Sequence, residues 1–125
     1  MIRTYASTDT PYAIPKVNIP KYWIRPQQIL SAAPGMHRFL WDVHLTPLPV
    51  PPAYPISAIY GNTAPLATSP WVMPGKYTAL LEVNGKTMQQ QFNVVMDPRV
   101  ATTSADLQRQ FNLANQCYEI SKTCL

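Results

Sequence analysis

Residues 71–99 read WVMPGKYTALLEVNGKTMQQQFNVVMDPR, and the pairing within this stretch decides the fold. Asn84-Gly85 sits between two strand-like runs. A two-residue type I′ turn needs positive φ at both central positions, which Asn and Gly tolerate best. Closing the turn there pairs Val83 with Lys86, Leu81 with Met88, Ala79 with Gln90 and Tyr77 with Phe92. The alternate positions pair Glu82 with Thr87, Leu80 with Gln89 and Thr78 with Gln91. The first set is mostly apolar and the second mostly polar, so the register predicts one buried and one wet face. Pro74-Gly75 leads into the hairpin, and Asp97-Pro98 ends it. Nothing in the stretch is chemically reactive.

Working outward, Met36–Leu45 (MHRFLWDVHL) alternates, with Phe39, Trp41, Val43 and Leu45 on one face and Arg38, Leu40, Asp42 and His44 on the other. This predicts a central strand with Trp41 in the core. Ile2–Ala6, Gln28–Ser31 and Ile56–Tyr60 are further strand candidates. Between them, residues 7–27 carry Pro11, Pro15, Pro20 and Pro26 beside Tyr12, Tyr22 and Trp23, and 46–55 reads TPLPVPPAYP. Both segments suit stiff, extended connections. The two PxxP registers within 49–55 lack the flanking basic residue of a partner-docking ligand, so a crossing connection is the plainer reading. Short strands, turn signals and a core Trp predict a mainly β fold over residues 1–100. It would be an immunoglobulin- or fibronectin type III-like β-sandwich of about seven strands.

After residue 100 the pattern changes. Thr102-Thr103-Ser104 offers helix N-caps and Asp106 suits the first turn. A C-terminal α-helix over 101–125 would carry two apolar stripes. Leu107, Phe111, Ala114, Tyr118 and Leu125 form one; Leu113, Cys117, Ile120 and Cys124 form the other. One stripe can pack on the sandwich, and the second needs another partner. The expectation is that the helix is truncated at Leu125, and that the second stripe meets a neighbouring helical region of a longer chain.

Composition narrows the chemistry. Fourteen prolines among 125 residues exclude a helical bundle. The net charge of +4 comes from five Lys and five Arg scattered singly, which argues against a nucleic-acid partner. No run of about 18 apolar residues is present, so no membrane span is expected. Cys117 and Cys124 stand about 10.5 Å apart along one helix, too far for a disulfide, and no Cys-x-x-Cys suggests a zinc site. His37 and His44 face opposite sides of their strand and cannot share a metal; solvent-facing or locally bonded imidazoles are expected. Asp42 and Glu82 are the only acids on well-defined strands, and nothing puts them at the spacing of a glycosidase pair. Arg38 with Asp42, and Asp97 with Arg99, read as structural ion pairs. No Gly-x-Ser-x-Gly or Gly-rich phosphate loop occurs. No catalytic group, metal or cofactor follows from these residues. Trp23, Tyr54, Tyr60 and Trp71 fall in loops and are the aromatic rings that could stack on a sugar.

The segments GMHRFLWD (35–42), PISAIY (55–60), SPWVMPGKYT (69–78), NGK (84–86) and MDPRV (96–100) together resemble the C-terminal region of large bacterial proteins. Those proteins carry BNR (bacterial neuraminidase) or sortilin-like propeller repeats, with glycosyl hydrolase or sialidase-like descriptions. The resemblance spans roughly residues 1–120, and HRFxWD with MDPR is its most specific part. It implies an immunoglobulin-like module following a β-propeller in a secreted, periplasmic or cell-surface protein, with a helical segment after MDPR. The propeller Asp-box, Ser-x-Asp-x-Gly-x-x-Trp, is absent; Ser7-Thr8-Asp9-Thr10 stops short of it. No catalytic residue carries over. The expectation is a non-catalytic accessory domain that packs on or orders the neighbouring propeller, with carbohydrate binding by the loop aromatics as the alternative.

Overall fold

The computed structural model describes residues 1–11, 13–14, 16–50, 53–54, 59–61, 63–64 and 68–125. Strand β1 (Gly75–Val83) and strand β2 (Lys86–Val94) form an antiparallel hairpin, and helix α1 spans Ser104–Thr123. A 3₁₀ turn at Lys21–Trp23 precedes them.

The hairpin has the register that its turn dictates, from Val83 opposite Lys86 to Gly75 opposite Val94. Asn84 (φ 50°) and Gly85 (φ 73°) both occupy the left-handed region, as a type I′ turn requires. The expectation of a buried apolar face is not met along its length. Leu81 and Met88 are about half exposed (50% and 54%), and Phe92 is 38% exposed. Burial begins only at the base, where Trp41 lies edge-on to Tyr77 (5.9 Å) and to Phe92 (6.2 Å). The three rings expected in the core therefore form a half-covered cluster that joins the hairpin to the rest of the chain.

Among the described residues the sheet has only these two strands. Residues 39–45 do alternate in burial, apart from His44, but they form no ladder. Val43 takes φ 53°, a costly conformation for a β-branched residue. The kink is held locally. The Asp42 carboxylate accepts from His44 N–H (3.2 Å), and Trp41 Nε1–H donates to the His44 carbonyl (3.0 Å). Among the described residues one bridge remains for this segment, His44 to Trp71, flanked by Val72 N–H to Val43 O and Leu45 N–H to Pro70 O. Ile2–Ala6 and Gln28–Ser31 likewise form no ladder. Residues 56–58 of the Ile56–Tyr60 candidate lie outside the described residues, as do Tyr12, Pro15 and parts of the 46–55 and 61–70 segments.

The short segment 43–46 is the hub instead. Arg3 and Ser69 both donate to the Leu45 carbonyl (2.8 Å each), Thr46 donates to the Ile2 carbonyl (3.1 Å), and Tyr118 donates to the Thr46 carbonyl (2.9 Å). The N-terminus, the 69–72 segment and α1 thus converge there. A second join is the parallel bridge of Ile24 with Thr63. Among the described residues the buried ones, Ile24, Val72, Pro70, His44 and Thr63, sit at these two joins.

Helix α1 begins where Thr103 caps it, accepting from Asp106 N–H at 3.1 Å. Its length is about 30 Å. Leu107, Phe111, Ala114 and Tyr118 are half-buried, so the first predicted stripe faces the body. Leu125 lies beyond the helix and is exposed.

The chain exposes 10217 Å². Size scaling gives about 6,700 Å² for a compact chain of this 14.1 kDa mass.

Candidate functional site

Among the described residues an apolar groove of about 750 Å³ lies between α1 and the hub. Phe111, Ala114 and Tyr118 form the helical wall. Val43 and Leu48 line the hub side; Trp71–Pro74 and Val94–Met96 complete it. Tyr118 reaches across to the Thr46 carbonyl and pins the helix beside the groove. The walls carry few polar atoms. Such a surface can bury apolar groups, but it presents no nucleophile paired with a base.

Trp71 stands at the rim, 63% exposed, with its ring centroid 4.0 Å from that of His44. His44 takes the locally bonded form of the two expected for it, but it is not on an outward face. It is only 8% exposed, because the positive φ of Val43 turns it under Trp71. Its Nδ1 lies 2.8 Å from the Asp42 carbonyl oxygen. A carbonyl can only accept, which fixes the Nδ1–H tautomer in the neutral ring. Asp42 turns to His44, at 3.9 Å, rather than to Arg38. His37 is exposed and bonded locally to the Ala33 carbonyl.

Three of the four loop aromatics, Trp23, Tyr60 and Trp71, are divided between the two joins. Trp23 is half-buried next to the Ile24–Thr63 bridge, and Tyr60 lies near it, edge-on to Tyr22 at 63°. Trp71 belongs to the other join, and Tyr54 is half-buried. Tyr22 and Tyr60 present an edge and a face rather than one flat surface.

The second helical stripe stands open. Leu113 and Ile120 are 65% and 66% exposed, and Cys117 and Cys124 are free, exposed thiols. Cys117 also reaches the lip of the groove. The Asp97–Arg99 pair is present, with Arg99 Nε 2.9 Å from Asp97 Oδ1. Arg99 holds the Asp97 carboxyl below the usual carboxylate range. Val100 N–H closes a turn on the Asp97 carbonyl (3.0 Å), so the MDPR element is a self-contained corner between β2 and α1. Burial raises the Tyr5 phenol, partly opposed by Arg3, whose guanidinium lies 5.0 Å from the ring centroid.

Among the described residues no three His, Cys, Asp or Glu side chains could hold a metal ion, and no helix is long and apolar enough to cross a membrane. The helical wall of the groove is the first predicted stripe, but its opposite wall had no signal in the sequence. That opposite wall includes Met73, Met96 and Val43, beside the Val43 kink and the MDPR corner. No family model, curated protein or solved structure matches the chain, so the likeness to propeller-associated modules rests on the sequence segments quoted above.

Proposed function

We propose that the chain is a non-catalytic accessory module that packs on or orders the propeller and neighbouring helical region of a larger exported, carbohydrate-active or sortilin-like protein. One observation carries the proposal. α1 turns one apolar stripe inward and holds a second, Leu113–Cys117–Ile120, open to water at the centre of a well-capped helix. Large contiguous apolar faces on soluble chains mark packing surfaces. The excess of exposed surface points the same way. The immunoglobulin-like sandwich belongs to this reading. The hairpin face bearing Tyr77, Leu81, Met88 and Phe92 is the face that an opposing sheet would cover.

The test is made in the longer polypeptide. Replacing Leu113→Glu together with Ile120→Glu, or removing the module, lowers the unfolding temperature of the propeller. A propeller equally stable and equally active in both cases rejects the proposal.

A second reading, a carbohydrate-binding module, is favoured by one observation, the exposed Trp71 ring at the mouth of the groove. It requires saturable glycan binding, seen by Trp fluorescence and lost in Trp71→Ala. The separation of Trp23 and Trp71 between two joins argues against a shared stacking surface.

A further inference from the structure

The outer edge of β1 is self-complementary, and we infer that it pairs antiparallel with the β1 edge of a second copy of this chain. The two strands would cross at Ala79, making one four-stranded sheet.

The closed turn at Val83–Lys86 makes odd-numbered β1 residues bond to β2. Lys76, Thr78, Leu80 and Glu82 therefore turn their backbone N–H and C=O groups outward. Among the described residues these groups have no hydrogen-bond partner, and no other element pairs with β1.

Two copies of β1 laid antiparallel about Ala79 place Lys76 opposite Glu82 of the second copy, and Glu82 opposite its Lys76. Thr78 faces Leu80, and Tyr77 faces Leu81, each twice by symmetry. The parity is correct. The outward-bonding residues 76, 78, 80 and 82 meet one another and can exchange both bonds, while 77, 79 and 81 fall at the closer, non-bonded positions. The tightest of these, on the two-fold axis, holds the small Ala79. Tyr77 and Leu81 lie on the apolar face and stay on one side of the joined sheet, whereas the charges stay on the other.

Charge and strand count both favour this occupant. β1 carries one cation and one anion, and this register matches both. The same construction on β2, centred on Gln90, matches no charges and sets Lys86 opposite Val94. An isolated two-stranded hairpin is marginal in water, and three or more strands are needed for independent stability. This inference uses the strand edge and is independent of the packing role assigned to α1.

The test is sedimentation equilibrium of the 125-residue chain across concentration. The parent chain is expected to dimerise. Lys76→Glu alone, or Glu82→Lys alone, sets two like-charge pairs face to face and is expected to weaken the dimer at least about tenfold. Mixing the two single variants restores opposite charges at both sites, as does the double variant Lys76→Glu, Glu82→Lys, so both recover dimers. Thr78→Pro removes an outward N–H while leaving the β2 ladder intact, and also dissociates the dimer. A parent chain monomeric at all concentrations overturns the inference. A dimer indifferent to the charge variants does so too, and points instead to β2 or the open helix stripe.

Discussion

Trp41→Ala is the perturbation that most directly probes how the hairpin is joined to the body. Trp41 meets Tyr77 at 5.9 Å and Phe92 at 6.2 Å, both edge-on, and each such pair contributes about 0.5–1.5 kcal/mol beyond burial. Its indole N–H bonds the His44 carbonyl at 3.0 Å, a net contribution of about 1 kcal/mol. The half-buried ring adds about 2 kcal/mol of apolar burial. Truncation should therefore cost about 4–6 kcal/mol, overlapping the range of about 3–5 kcal/mol for such changes. That is most of the stability of a marginal domain. Trp41→Phe keeps the ring contacts and loses the hydrogen bond, so it should cost about 1–2 kcal/mol. The assay is urea unfolding followed by far-UV circular dichroism, compared at equal m-value. If Trp41→Ala unfolds within about 0.5 kcal/mol of the parent chain, the ring does not couple hairpin to hub and the reasoning is wrong.

Gly85→Ala should destabilise the hairpin by about 1–2 kcal/mol, because φ 73° disfavours any Cβ although open space surrounds it; hydrogen exchange of the β1 and β2 amides would report the loss, and unchanged exchange would contradict it. Thr103→Ala should cost about 1 kcal/mol by leaving the Asp106 N–H uncapped, and Thr103→Ser should recover most of it, read as the midpoint of helix unfolding. Arg99→Ala should raise the Asp97 titration midpoint towards its ordinary value near 3.8, followed by side-chain carboxyl NMR shifts. The sign follows from that depressed value: the pair's stabilisation is present at neutral pH and is lost as pH falls through the Asp97 pKa, below 3.8. Because the pair is at the surface, the unfolding curve at neutral pH should barely move.

The parts of the fold that were legible in the sequence are those set by local rules. Asn84-Gly85 fixes a turn by its backbone preference, and the register follows residue by residue. Thr103 and Asp106 start the helix for equally local reasons, and the 3.6-residue period separates its two stripes. The alternation of 36–45 misled because burial alternates there without strand pairing. The left-handed Val43 that breaks the ladder is a β-branched residue, which gives no warning of positive φ. The hub at 43–46 works mainly through backbone carbonyls of Leu45 and Thr46, and carbonyls are common to every sequence. The burial of His44 follows from the same kink. The groove is a consequence of where α1 lands, fixed by Tyr118 contacting a residue 72 positions away, a separation that no pattern in a single sequence encodes.

The central claim is that the open face of α1 is a packing surface, and Cys117 is its natural reporter, an exposed thiol midway between Leu113 and Ile120. Its alkylation rate should be measured in this chain alone and in the longer, propeller-bearing polypeptide that the proposed function requires. Covering the stripe should slow labelling at least about tenfold relative to the chain alone, a coverage free energy of about 1.4 kcal/mol or more. Equal rates in the two proteins would leave the stripe facing solvent and contradict the account.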